Sequence, residues 1–380
     1  MGDAGKAIQL CLIAVSLLFI GCKFSSKEKI IKLTLKIGAD SVDTSREDEA
    51  IRHTYHVLQN RLNKIAGDNA RCELDAGSGI VRMEFSSARS LKRVCDYLTA
   101  TGDIQFYETY SNEEFYPLLA TANDKLAFAL YGYTKPTVQE KGMFDDDSFD
   151  VKTPLENMKP EGHRQILKNG DTGSLQQYTS GKSAHEKGPL SETQVKYPLF
   201  GIMSPMTTYE NGPQKGAAVG FVDTGEIRRL ESYLANKALA MLFPPSIRFV
   251  YGPVLSDSRH VFVYVIKLPA DAADAINGSC INNTKSKPDE LTGKPAVHIK
   301  MNAVGAGKWA KMTRNCKGRY IAVVYDGIVI SSPRVADEIT TGYTEISGTF
   351  TEEEATDLAY TLNSGKLPLP VHIVDSTMGK

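Results

Sequence analysis

Between Ile30 and Tyr110 the spacing of apolar residues switches repeatedly between the period of a strand and that of a helix, in an order that few folds satisfy. Ile30 to Ile37 (IIKLTLKI) alternates apolar and polar residues, the pattern of a half-buried strand. Thr44 and Glu47 then form a capping-box pair, and Ile51, Tyr55, Leu58, Leu62 and Ile65 recur at helical spacing until Gly67 ends the run. Cys72 to Leu74 and Ile80 to Phe85 read as short strands around the turn Ala76–Gly77–Ser78–Gly79. Leu91, Val94, Cys95 and Leu98 mark a second amphipathic helix, and Asp103 to Tyr107 reads as another strand.

The resulting β-α-β-β-α-β string is the ferredoxin-like order, so the expected fold class is α+β. A helix follows from Glu113 to Tyr131. From Thr134 to Lys196 the composition shifts to Lys, Gly, Asp, Ser, Gln and Pro, which predicts a long polar excursion. Order resumes with strand-like pieces at Pro198–Met203 and Ala217–Val222, a helix from Gly225 to Leu242 stopped by Pro244–Pro245, and strands Ile247–Tyr251 and His260–Leu268. Asn277 to Lys294 reads as a polar loop, followed by strand Val297–Met301 and a short helix around Trp309. The last sixty-odd residues are the most patterned. Tyr320–Tyr325 is a buried strand and Asp326–Gly327 a hairpin turn into Ile328–Ile330. Thr351 and Glu354 cap a helix with Ala355, Leu358, Ala359 and Leu362 on its apolar face, and Gly365 closes it. A final strand, Val371–Val374, that returned to the first sheet would make the middle of the chain an insertion. The expected division is therefore a ferredoxin-like base over 30–110 and 351–380, with an α+β head over 111–350 that carries the excursion at 134–196.

The N-terminus constrains location. Ala7 to Gly21 is apolar and uncharged, yet shorter than the roughly 20 residues that span a bilayer comfortably. A basic residue before it completes the outline of an export signal. Phe19–Ile20–Gly21–Cys22 resembles the bacterial lipobox, with Phe19 where Leu is usual, so residues 1–22 read as a lipoprotein signal peptide and Cys22 as the lipidation site. The alternative is an uncleaved signal anchor with Cys22 as a bystander. Either way the body of the chain is expected in the bacterial cell envelope, facing the periplasm. A diacylglycerol thioether with an amide-linked acyl chain would supply the two hydrophobic signals of stable anchoring.

The remaining composition excludes several classes. Net charge is −1 from 44 basic and 45 acidic side chains, which argues against a nucleic-acid partner. With 42% hydrophobic and 23% charged residues the chain is not disordered. Cys72, Cys95, Cys280 and Cys316 show no CxxC spacing and read more simply as free thiols than as a disulfide framework. His53 and His56 lack the HExxH context of a metal site, Asp145–Asp147 with Asp150 lacks the glycine of a calcium loop, and GAGKW at 305–309 fails the P-loop pattern. The reading is of no cofactor, no metal and no enzyme.

The run YIAVVYDGIVISSPRV and the run ITTGYTEISGTFTEEEATDLAYTLNSGKLPLPVHIV resemble the end of the large periplasmic domain of the SecD/SecDF family of protein-export accessories. The matching positions include Asp326, Gly327, Pro333, Gly342, Gly348, Phe350, Gly365 and Pro368. Upstream, Asn60, Arg61 and Leu62 resemble the end of the family's first helix, and IQFYETY around Phe106 and Glu108 resembles the strand that closes its base. The resemblance implies a head inserted in a base, touching emerging polypeptide, and makes the matched residues structural rather than catalytic. It also implies further membrane helices after the Leu–Pro–x–Pro exit, whereas this chain ends at Lys380. The expectation is a stand-alone lipoprotein form that binds exported or unfolded polypeptides and meets Sec translocon subunits. The alternatives are a docking module on an envelope partner such as the Sec channel, and a small-ligand or glycan-binding lipoprotein that uses the excursion.

Overall fold

The structure is a computed structural model that describes residues 28–38, 44–66, 70–135, 191–208, 212–255, 258–348 and 350–379. The signal segment with Cys22, the side chains of Thr44 and Glu47, Gly67 and most of the 134–196 excursion lie outside the described residues.

Strand β1 (Lys29–Ile37) buries Ile31, Leu33, Leu35 and Ile37 and turns the residues between them outward, as its alternation predicts. Helix α1 (Thr44–Ala66) lays Ile51, Val57, Leu58 and Leu62 into the same core. Strands β2 (Arg71–Asp75) and β3 (Ile80–Ser87) form a hairpin. Helix α2 (Leu91–Thr99) is capped by Ser90, whose hydroxyl accepts from the Arg93 amide at 3.3 Å. The sheet has the antiparallel order β15-β1-β3-β2, where β15 is the last strand, Val371–Met378.

One strand differs from its expected position. The place beside β1 is taken by β15, while β4 (Ile104–Thr109), which the sequence order makes the closing strand, leaves for another sheet. Two causes are visible. Gly102, at φ +77°, turns the chain away directly after α2. And Ile321–Tyr325 (β12) is buried along its whole length, so it needs a neighbour on each edge, and β4 is one of them. Alternation reports that a segment is a strand but not which strand it will pair with.

The second sheet has eight strands. After helix α3 (Asn112–Tyr131) and the short α4 (Glu192–Lys196) come β5 (Met203–Pro205), β6 (Ala218–Asp223), α5 (Ile227–Leu234), β7 (Ile247–Val254), β8 (His260–Lys267) and β9 (Ile276–Asn277). With β13 (Ile328–Ser331) the order is β5-β6-β8-β7-β13-β12-β4-β9. An additional pairing of β4 with β8, Glu108 opposite Lys267, closes β8, β7, β13, β12 and β4 into a ring. Val250, Ile266, Ala322, Val324 and Val329 from its strands form one buried cluster. A second cluster joins the sheet to α3 and α5 through Phe115, Leu119, Val263 and Leu230. A third joins it to α6 (Ala303–Asn315), α7 (Glu352–Ser364) and a three-stranded sheet, β10 (Ile281–Pro288), β11 (Pro295–Met301) and β14 (Tyr343–Ser347), around Trp309, Ile299 and Leu358. The class is mixed α+β.

Two other elements depart from the sequence reading. The polar stretch expected as a loop contains β10, an edge strand with most side chains outward. Its buried Thr284 is matched by Asn363 of α7, whose amide accepts from Thr284 N and donates to Thr284 O, both at 2.8 Å, as a neighbouring strand would. The helix expected to run to Leu242 stops at Leu234, because Asn236 turns its side chain onto the amide of Ala238 at 2.9 Å and starts a separate turn that buries Leu239. Cys95, Cys280 and Cys316 are buried free thiols and Cys72 is a half-buried one.

Candidate functional site

A groove of about 400 Å³ opens where β4 crosses β8, between that seam and α6. Its volume lies in the range of ligand pockets, roughly 300–1,000 Å³. Phe106, Tyr107 and Tyr110 come from β4 and the residue just past its end, Leu268 and Pro269 follow β8, and Met312 lies on α6. Polar side chains converge on the same opening: Lys267, Lys308, Lys311, Glu108 and Asp274. The ring closure makes this geometry, since pairing Glu108 with Lys267 carries the two strand ends across each other. Lys267 sets its ammonium 4.4 Å from the centre of the Tyr110 ring, a cation–π arrangement. Lys308 donates to the carbonyl of Ala275 at 3.0 Å, and Lys311 meets Asp274 at 3.4 Å. Glu108 is engaged by Arg319 at 3.5 Å. Behind it, burial first and Glu108 second push the Cys316 thiol up to about 11, so this cysteine is an inert packing group at neutral pH.

The second built feature is the junction between the two larger sheets, where the chain leaves along 100–103 and returns along 365–370. The crossings run side by side: Leu367 N donates to Thr101 O at 2.8 Å, and Lys366 meets Asp103 at 2.9 Å. Arg61 of α1 is fully buried between them. Its guanidinium donates to the carbonyls of Leu98 and Gly365, each at 3.1 Å, of Tyr97 and Thr101, each at 3.4 Å, and of Ala100. Burial is the main influence on this group and lowers its pKa, against the favourable fields of Tyr325, Tyr97 and Asp326. Gly102 is required here, because a Cβ would lie 2.8 Å from Arg61 Nη2. From the other side Arg93 and Arg89 of the first sheet's layer engage Asp357 of α7, Arg93 Nε at 2.7 Å.

The motif residues singled out in the sequence divide between this junction and the head's turns. Asp326 (φ +47°) and Gly327 (φ +82°) form the two-residue hairpin turn, and the turn is docked. The Asp326 carboxylate accepts from Asp103 N at 2.8 Å and Gly102 N at 3.3 Å, while Asp326 N donates to Asp103 O at 2.9 Å. Gly365 ends α7 at φ 87°, ψ 171°, a region essentially confined to glycine, and offers its carbonyl to Arg61. Pro368 is exposed between buried Leu367 and Leu369, at a bend in the return crossing before β15. Pro333 accepts from Ile321 N at 3.2 Å, and Gly342 packs against Ala306 where a Cβ would sit 2.7 Å away. Phe350 packs on the Trp309 cluster, and Gly348 follows the end of β14. Asp326, Gly365 and Pro368 are thus brought together at the junction; Pro333, Gly342, Gly348 and Phe350 are not. His53 and His56 are both exposed on α1. Sequence reasoning missed Lys267 and Lys308, because their meeting depends on the β4–β8 crossing, and it read Arg61 only as the end of a helix.

Residues 263–369, from β8 to the return crossing, match the SecDF P1 head subdomain family. The likeness to that family is confined to this segment. A SecD protein translocase subunit from Rhodothermus marinus is 33% identical over 190 residues, covering 49% of this chain and 29% of the relative. One from Dictyoglomus turgidum is 39% identical over 110 residues, covering 28% of this chain and 27% of the relative. The chain therefore spans less than a third of these relatives. A solved SecDF in its super-membrane-facing form aligns over 98% of this chain and 35% of its own, at 16% identity and a TM-score of 0.43. The matched segment includes α7 as well as β10 to β14, so the helix that Asp357 ties to the first sheet's layer lies within it. Among the described residues no helix is long and apolar enough to cross a membrane.

Proposed function

We propose that this chain assists protein export as a membrane-tethered, non-catalytic accessory, holding extended polypeptide on a head carried by a ferredoxin-like base. The match of 263–369 to a SecDF head supports the export setting. The groove beside β4 is the observation that carries the binding reading. It offers aromatic and aliphatic surface to side chains, with polar groups at its opening. The division into base and head is supported by the return of β15 to β1 and by the confinement of covalent continuity to the two crossings near Arg61. Cys22 is the proposed lipid attachment point, and Sec translocon subunits are the proposed neighbours.

Photocrosslinking amino acids placed at Tyr110 and Met312 of the full chain in cells test the binding reading. Adducts with polypeptides in transit are expected, and none from Asp48, on the exposed side of α1. Equal yields from all three positions, or no adducts, would refute it. Mass spectrometry of the mature protein, with Cys22→Ser as control, tests the tether: an unmodified chain starting at Met1 sinks it.

A further inference from the structure

The charges in the groove are not balanced. Of its two carboxylates, Glu108 is engaged by Arg319 and Asp274 by Lys311. Lys267 and Lys308 have no carboxylate within ion-pair distance among the described residues; one ammonium rests on the Tyr110 ring and the other on the Ala275 carbonyl. Both lysines are half-buried, so their stems are packed and their heads are displayed in place rather than waving in solvent. Around them lie Phe106, Tyr107 and Met312, surface suited to apolar side chains. A low-dielectric wall beside a fixed charge strengthens its field toward an incoming group.

We propose that this groove selects polypeptide segments in which an acidic side chain, or a chain-terminal carboxylate, lies among apolar residues, with Lys267 and Lys308 as the carboxylate partners. The inference rests on the polypeptide-binding reading above and adds the class of segment. Charge complementarity names the occupant: two ammonium groups satisfied only by a ring face and a neutral carbonyl gain most from an anion, and a basic segment would meet like charge. A concave opening of about 400 Å³ lined by aromatic rings fits side chains better than the flat plane of a bilayer surface.

The test is fluorescence anisotropy on the full chain with ten-residue peptides of identical apolar content that carry Glu, Gln or Lys at the two central positions. The Glu peptide should bind about three- to thirtyfold more tightly than the Gln peptide, the range expected of two partly exposed ion pairs, and the advantage should shrink as salt rises. In Lys267→Gln/Lys308→Gln the Glu-to-Gln ratio should fall to about one. In Lys267→Glu/Lys308→Glu the Lys peptide should become the preferred one, which a merely misfolded variant would not show. Equal wild-type binding of Glu and Gln peptides would overturn the charge selection and leave the polypeptide reading standing. No binding of any peptide would overturn both. Binding to anionic phospholipid vesicles that is lost in the Gln variant, without any preference among peptides, would assign the lysines to a lipid surface instead.

Discussion

Arg61→Met isolates the most heavily shared contact in the molecule. Arg61 has no exposed surface, and its guanidinium gathers carbonyls from the exit crossing, from the end of α2 and from Gly365 on the return. Leu98 and Gly365 accept at 3.1 Å and Ala100 accepts as well, while the contacts to Tyr97 and Thr101 are longer. Hydrogen bonds from a charged donor contribute about 1.5–3 kcal/mol each, so the three closer ones represent roughly 5–9 kcal/mol before desolvation. Burying a guanidinium opposes this by several kcal/mol. Methionine retains much of the stem's packing, recovers the desolvation, and leaves the carbonyls without a donor. The net loss expected is about 3–5 kcal/mol, the scale seen when a buried ionic network is broken from one side. Urea unfolding of the full chain reads it by two probes. Far-UV circular dichroism follows the whole molecule. Trp309, the single tryptophan, sits in the cluster under the second sheet and follows the head alone. The circular dichroism midpoint should fall by the amount given, and the Trp309 transition should move with it if the crossings couple the two sheets. A loss below about 1 kcal/mol would refute the view that Arg61 holds the crossings together.

Asn363→Ala removes both amide bonds to Thr284 and leaves the outward backbone N–H and C=O of that edge residue without these partners, so a loss of about 2 kcal/mol in urea and faster aggregation on light scattering are expected. Gly342→Ala should cost more than Gly327→Ala by differential scanning calorimetry: both glycines have positive φ, but only at 342 would the new methyl meet Ala306, at 2.7 Å, while nothing lies near a Cβ at 327. The Asp326 carboxyl is pushed up from its ordinary value by burial, against the lowering influence of the Asp103 and Gly102 amides and of Arg61. The folded state therefore binds the proton more readily than the unfolded one. This contribution to stability is fully present below the ordinary value of 3.8 and is lost as pH rises through the higher folded value. Urea midpoints measured across that window should fall for wild type relative to Asp326→Asn; a relative rise would contradict the sign.

Much of the fold is legible because it is written in local periodicity. β1 announces itself by alternation, α7 by Thr351 with Glu354, and the β12–β13 hairpin by Asp326–Gly327 between two apolar runs. In each case the force that shapes the element acts within a few residues: a capping bond, a turn that tolerates positive φ, or one face that must be hidden. β10 was not legible, since its exposed side chains are polar and the partner that completes its edge, Asn363, is far along the chain. The groove was not legible either. Lys267 and Lys308 stand 41 positions apart in the numbering, and only the β4–β8 crossing brings them to one opening.

By itself the sequence determined most of the elements, many of their caps and turns, the α+β class and the likeness of the last eighty residues to the end of a protein-export accessory's periplasmic domain. The tertiary structure decided which strand lies beside which. It gave the place next to β1 to β15 and sent β4 to the ring, because a strand's partner is chosen by what the rest of the chain leaves uncovered and not by the strand's own pattern. It also turned Arg61 from one basic residue on a helix into the donor that joins two crossings, since carbonyls separated by hundreds of residues share a guanidinium only once the chain has folded back on itself.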